Sequence, residues 1–220
     1  MNATTPPVDE RPVMSRGDRF ALGATAALAG LVALGSAVGG VLSVVQVLRD
    51  DPLTIHGFEL VNARPPEVTE PVEQVTAAWY DSATLSVAGL PDSARWLFAG
   101  QSAVTALAVV GVSLTLLWLA LRVLRTRPFG HSVTAALVAS ALLIIIGGTA
   151  AQLLEAAGRA AVVDHLGPAV TGGADPSAES LLAFGLSVDL APIGVGLALA
   201  VVALAFQIGA RMQRDTEGLV

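Results

Sequence analysis

Three histidines and many scattered carboxylates are the residues of this chain that could bind a metal ion or transfer protons. His56 and the pair Asp164-His165 would form a metal-binding set only if two distant polar segments of the chain met. Zinc sites need three or four converging ligands, and neither these residues nor His131 has a ligand-like spacing. The carboxylates show no D-x-[DN]-x-[DN]-G pattern for calcium. The sequence therefore predicts no metal site.

The motifs of common catalytic sites are also absent from the sequence. It has no Walker-type glycine loop, no H-E-x-x-H helix and no G-x-S-x-G turn. With no Cys, it has neither a thiolate nucleophile nor a Cys-ligated metal. Acid–base catalysis needs paired, positioned ionisable groups, and the sequence shows no such pair. We therefore expect a protein that is not an enzyme and that needs no cofactor.

Four long apolar stretches make up much of the chain, and any functional site would have to be positioned by them. The 220 residues are 54% hydrophobic and 14% charged, with a mean hydropathy of +0.69, whereas soluble domains carry about 25% charged residues. A membrane-spanning helix needs about 20 apolar residues. The sequence predicts an all-α integral membrane protein, a four-transmembrane-helix bundle with a small β-rich extracytoplasmic cap. The predicted spans are 20–48, 97–121, 133–154 and 190–210.

The positions of the arginines predict the orientation, because basic residues near span ends stay on the cytoplasmic side. The tails 1–19 and 211–220 and the short connection 122–132 are basic, whereas the long connections 49–96 and 155–189 are rich in carboxylates. We therefore expect a multi-pass protein of the cell inner (plasma) membrane with both termini cytoplasmic. Candidate cytoplasmic contacts to anionic lipid or to a partner are Arg122, Arg125, Arg127, Arg211 and Arg214. A role of the first three in setting the orientation alone explains them equally well.

The first span could instead be a secretory signal, since arginines precede it and Gly35-Ser36-Ala37 offers a cleavage site. A signal has an apolar core of about 7 to 15 residues, and this span continues far beyond that length. We expect a retained helix.

The two acidic connections carry different patterns. In 49–96, the pattern predicts strands at residues 53–62 and 84–88. A further strand at Val75–Tyr80 could pair with the second of these across a turn at Asp81-Ser82-Ala83. A sheet this small is only marginally stable in water, so we expect it to pack against the second connection or against lipid headgroups. The composition of the connection 155–189 predicts a flexible segment that follows an extension of the third helix through Val163.

No ionisable residue lies deep in a predicted span, which argues against a proton relay or a coupled ion transporter. Small residues recur instead, and they let helices approach closely in lipid. Packing between the four helices and formation of a homo-oligomer explain them equally well. The relevant glycines are Gly35 and Gly39 in a GxxxG, Gly40, the pair Gly147-Gly148, Gly194 and Gly196.

The run Arg127-Pro128-Phe129-Gly130-His131-Ser132 is followed by an apolar helix. It is similar to the G-x-P-F-[ST] turn of the DUF2975 family of bacterial membrane proteins, with Pro128 and Phe129 at matching positions. Residues 206–220 are similar to its ending F-x-x-G-x-x-L-Q-x-D-x-E-G-L-V, and residues 86–91 also fit. In that ending, the matching positions include Gly209, Asp215, Glu217 and Gly218.

The sequence departs from this family pattern at three places. Thr126 stands where the family often has Gly, Gly130 follows Phe129 directly, and Met212 replaces Leu. The resemblance implies a four-helix bacterial inner-membrane protein. It implies no established activity, so no catalytic residue carries over.

We expect the chain to act through protein contacts, as an accessory, sensory or regulatory membrane subunit. Its partners would be the lipid bilayer and a membrane protein or a second copy; its formal net charge of −6 disfavours nucleic acid. The alternative is a small oligomeric transporter or channel for an apolar or weakly polar solute.

The orientation can be tested by labelling single cysteines introduced into the chain, which has no Cys of its own. A membrane-impermeant maleimide added to intact spheroplasts should label a cysteine placed at Asp51 or Asp92. Cysteines at Ser15 and Arg125 should react only after permeabilisation. Labelling of the Asp51 and Ser15 variants from the same side would contradict the predicted orientation.

Overall fold

Four long helices account for most of the structure. The computed structural model describes residues 15–60, 82–124, 131–167, 182–183 and 188–217. Each helix contains a run long and apolar enough to cross a membrane, which confirms that part of the predicted fold class. The helices are α1 (Arg16–Arg49), α2 (Asp92–Leu124), α3 (His131–Leu166) and α4 (Ala191–Glu217).

The helix ends follow from local sequence. α1 begins with a capping box: the Asp18 N–H donates to Ser15 Oγ at 3.1 Å, and the Ser15 N–H donates to the Asp18 carboxylate at 3.2 Å. α2 begins directly after Pro91, whose carbonyl accepts from the N–H groups of the first turn. α3 ends where Gly167 adopts a positive φ of 67° and donates to the Val163 carbonyl.

Three helices extend well beyond the length that a bilayer core requires. α1, α2 and α3 have 34, 33 and 36 residues, so each is about 50 Å long against a hydrocarbon thickness of about 30 Å. α3 passes the predicted limit of its extension, Val163, and ends at Leu166. The helices therefore project on the side where α1 ends, α2 begins and α3 ends, called the sheet side below.

The helices pack in sequence order. α1 packs on α2, α2 on α3 and α3 on α4, and no other pair of helices in the described part of the chain packs to a similar extent. A closed four-helix bundle also requires α1 to meet α4. In the structure, α1 and α4 do not pack extensively on each other within the described residues, so the four helices form an open array.

Small residues explain the sequential packing. Gly40 of α1 lies against Ala106 of α2, and Gly147 of α3 lies where a Cβ would come 2.9 Å from Ala108 of α2. Gly196 of α4 lies against Ile145 of α3. By contrast, a Cβ at Gly35, Gly39 or Gly194 would meet nothing within 4 Å, so the GxxxG of α1 does not face α2.

A three-stranded sheet lies at the sheet side of the helices, with strand order β2-β1-β3. β1 (Leu53–Leu60) pairs antiparallel with β2 (Ser82–Val87) and, at its end, with β3 (Leu182–Ala183). The predicted turn at Asp81-Ser82-Ala83 is wrong for its last two residues, because Ser82 and Ala83 extend β2 and pair with Glu59 and Phe58. β3 falls in the segment expected to be a flexible connection.

The Val75–Tyr80 strand prediction lies outside the described residues.

One hydrophobic core joins the sheet to the helices. Its buried residues come from β1, β2, α2 and α3, and Ala94 and Val162 are fully buried at 0% exposure. The sheet therefore packs on the projecting helix ends, which supply the apolar surface that such a small sheet lacks by itself. The core residues are Leu53, Ile55, Phe58, Val87, Leu90, Ala94, Phe98 and Val162.

Two glycines of α4 offer a matched test of the α3–α4 contact. Gly196→Leu should destabilise the protein by about 1 to 3 kcal/mol, because its Cβ would overlap Ile145. Gly194→Leu should have little effect, since nothing lies within 4 Å of the added Cβ. Thermal unfolding in detergent micelles measures both. Equal melting temperatures for the two variants would contradict the α3–α4 packing.

Candidate functional site

A cleft lined by both polar and apolar side chains lies at the sheet side, where β1 passes over α1, α2 and α3. Its volume is about 390 Å³, which falls within the range of small-molecule sites. We call it the outer cleft. Its polar lining residues are Ser43 of α1, Gln101 and Ser102 of α2, Glu155 and Arg159 of α3, and Thr54 and His56 of β1.

Arg159 links α3 to β1 within the outer cleft. Its Nη1 donates to the Gly57 carbonyl at 3.0 Å, and its Nη2 pairs with the Glu155 carboxylate one helical turn earlier. Its Nε is buried without a hydrogen-bond partner. The guanidinium therefore has donor capacity that the described protein groups leave unused.

Gly57 is the residue of β1 that permits this contact. It has a positive φ of 79° and lies where the register between β1 and β2 shifts. A Cβ there would come 3.0 Å from Arg159 Nη2. Glycine therefore meets both requirements at this position: a left-handed backbone and room for the guanidinium.

The uncharged polar groups of the outer cleft connect α1 with α2 and β1 with β2. Ser43 Oγ donates to Ser102 Oγ at 3.1 Å. His56 Nδ1 lies 2.9 Å from Thr84 Oγ1. His56 does not join a metal site with Asp164 and His165: within the described ranges, no group of three or more His, Cys, Asp or Glu residues could hold a metal ion.

Arg95 joins α1 to α2 at the sheet side. It is buried, with 9% exposure, and its Nε donates to the Leu90 carbonyl at 3.3 Å. Its Nη1 donates to the Asp50 carbonyl at 2.7 Å, just after the end of α1. Its Nη2 pairs with the Asp51 carboxylate at 3.3 Å, and that carboxylate also accepts from the Gly89 N–H. A buried guanidinium is stable here because carbonyls and a carboxylate surround it.

The start of α4 is attached to α3 through Gln152 and Asp189. The Gln152 side-chain amide donates to the Asp189 carbonyl at 2.9 Å and accepts from the Asp189 N–H at 2.8 Å. The Asp189 carboxylate accepts from the Ala191 N–H at 2.8 Å. The sequence places these two polar residues near the ends of predicted spans, and the structure shows that they are hydrogen-bond partners.

A second, apolar groove of about 420 Å³ lies between α2, α3 and α4. Its lining includes Ala108 and Val112 of α2, Gly148 of α3, and Pro192 and Val195 of α4.

The structure describes only some of the predicted contact residues. Arg122 lies in the last turn of α2, with its guanidinium carbon 5.1 Å from the Trp118 ring centroid. Arg211 is exposed on α4, and a Cβ at Gly209 would meet open space. Arg214, Asp215 and Glu217 lie in the last two turns of α4. Arg125, Arg127, Pro128, Phe129 and Gly218 lie outside the described residues.

Sequence reasoning missed the outer cleft and the role of Arg95. One signal was readable: Glu155 and Arg159 are four residues apart, the spacing of an ion pair on a helix. Arg95 gives no such local signal, because its partners are mainly backbone carbonyls whose positions depend on the fold.

Comparison with known proteins adds no relative: no family model, no curated protein and no solved structure matches the chain. The resemblance to the DUF2975 family therefore stays a prediction.

Replacement of Arg95 tests the junction between α1 and α2. Arg95→Ala should destabilise the protein by about 2 to 3 kcal/mol, because the charge-assisted hydrogen bonds that the buried guanidinium donates to two backbone carbonyls are lost. Arg49→Ala is the control, since Arg49 is exposed at the end of α1. Thermal unfolding in detergent and amide exchange in β1 and β2 measure the effect. An Arg95→Ala protein with wild-type stability would show that this junction is unimportant.

Proposed function

We propose that this chain is a multi-pass inner-membrane protein that acts, without catalysis, as an accessory, sensory or regulatory subunit through contacts with another membrane protein or a second copy. The observation that carries the proposal is the attachment of the sheet to the helices. Arg159 binds the bulge of β1, and Arg95 binds the carbonyl that follows α1. In this arrangement, a force or ligand acting on the sheet also acts on three helices.

The exposed surface of the helices supports placement in a bilayer. Leu31 of α1 is 67% exposed and Val201 of α4 is 64% exposed, and many other large apolar side chains on all four helices are also exposed. Such a surface is unfavourable in water and favourable in lipid. The sheet side then faces outward, as the distribution of arginines predicts.

The open edge of the helix array supports a role in protein contacts. α1 and α4 each pack extensively on one other helix within the described part of the chain. The free face of α1 carries Gly35 and Gly39, which have open space around them. Small residues of this kind allow a second helix to approach closely in lipid. On the cytoplasmic side, Arg122 and Arg211 would contact anionic lipid or the same partner.

Site-specific photo-crosslinking in intact membranes tests this proposal. A photo-reactive residue at Leu31 or Leu34, both exposed on α1, should give a crosslinked protein of defined mass. The same residue at Ala33, which is buried, is the matched control and should give no intermolecular product. Lipid adducts alone at all three positions, with only the single chain recovered after gentle extraction, would refute the proposal.

One observation favours the alternative of a small transporter or channel: the described helices are flanked by the outer cleft and by the apolar groove. Purified protein in liposomes distinguishes the two functions. Release of a small weakly polar dye above the protein-free rate would favour the transporter, and an unchanged rate would favour the subunit.

A further inference from the structure

The outer cleft lies at the depth of lipid headgroups if the chain spans a membrane as proposed above. A hydrocarbon core of about 30 Å corresponds to about 20 helical residues. Counted from the inner limits of the predicted spans, the outer boundary falls near Gly40 in α1, Gln101 in α2 and Leu153 in α3. Ser43, Ser102 and Glu155 therefore lie within about 5 Å of that boundary.

The cleft carries both charges and uncharged groups that donate and accept hydrogen bonds. Arg159 and Glu155 are one quarter and one third exposed, so each retains an accessible part. A purely anionic ligand would face the Glu155 carboxylate, and a purely cationic ligand would face the Arg159 guanidinium. A ligand with a phosphate and an amine matches both residues, with the unused N–H groups of Arg159 for the phosphate and the carboxylate for the amine.

The position of the cleft also provides a route for lipid. Its walls come from α1 and α3, with α2 between them, and α1 and α3 are not an extensively packed pair. Leu42 of α1 and Leu153 of α3, each within two residues of a cleft residue, are 56% and 58% exposed and offer apolar surface to acyl chains.

We propose that the outer cleft binds a phosphoethanolamine group, with Arg159 as the phosphate ligand and Glu155 as the amine ligand. At this depth, its source is the headgroup of an outer-leaflet phospholipid. The proposal rests on the membrane placement under Proposed function and adds a ligand to it.

Native mass spectrometry of the detergent-solubilised full chain tests this binding. It is titrated with phosphatidylethanolamine, with phosphatidylglycerol, and with diacylglycerol, which lacks the headgroup. Phosphatidylethanolamine should bind at least about tenfold more tightly than the other two, because charge-assisted hydrogen bonds each contribute about that factor. Equal binding of all three lipids would overturn the proposal.

Charge variants separate the ligand classes. Glu155→Gln and Arg159→Gln should each weaken binding of phosphatidylethanolamine about tenfold. Arg49→Gln, at an exposed position near the end of α1, is the control and should leave it unchanged. If the site instead bound anions, the wild-type chain would bind phosphatidylglycerol at least as tightly as phosphatidylethanolamine, and Glu155→Gln would not weaken binding of phosphatidylethanolamine; that result would refute the zwitterion. Glu155→Gln leaves the Arg159–Gly57 hydrogen bond in place, so the test survives if Arg159→Gln fails to fold.

Two further measurements identify the source and separate the two proposals. In the first, soluble glycerophosphoethanolamine competes with the bound phospholipid. If it competes at a concentration near the Kd of the phospholipid, the phosphoethanolamine site stands but the lipid source is overturned. If it does not compete, the result supports the phospholipid as the source. Extraction of the wild-type chain from membranes by alkaline carbonate would refute membrane placement. A chain that resists carbonate but shows no lipid preference refutes this site alone.

Discussion

Hydrogen bonds from two arginines to backbone carbonyls connect β1 to α3 and the end of α1 to α2. Arg95 and Arg159 lie on α2 and α3, and their acceptors lie at the end of α1 and on β1. Removal of either guanidinium would take a charge-assisted hydrogen bond from its acceptor carbonyl, and such bonds are stronger than those between neutral groups. The apolar core around Phe58, Phe98 and Val162 forms around these contacts. The outer cleft is a direct result, since Arg159 is both a structural link and part of its lining.

The packing of the helices on one another depends on different interactions. In lipid, apolar side chains gain nothing by facing each other, so association relies on close packing and polar contacts. The structure shows both: small residues where neighbouring helices touch, such as Gly40 and Gly196, and the Gln152–Asp189 pair at the start of α4. The large exposed apolar surface is therefore consistent with an array in which lipid is the solvent, and a buried centre shared by all four helices is not required.

The sequence predicted the four helices and the positions of two strands because those features are local. Charge-free runs exceed 20 residues, and Leu85 and Val87 alternate with polar neighbours. The open array could not be predicted, because hydropathy carries no information on which helices touch. Neither could the start of β2 at Ser82, since the pairing of Ser82 with Glu59 is a long-range property. The outer cleft combines residues from four elements, and only the Glu155–Arg159 spacing was visible beforehand.

None of the described side chains of α4 contributes to the outer cleft, to the contacts of Arg95 or to the core beneath the sheet. Its extensive interface is with α3 alone within the described part of the chain. The outer cleft and the core beneath the sheet therefore belong to the sheet and the first three helices, whereas α4 shares a separate buried cluster with α2 and α3 that includes Leu119, Leu137 and Ala203. The contact between Arg159 and Gly57 is thus built without α4, so a change at the α3–α4 contact, such as one at Gly196, touches neither of these residues.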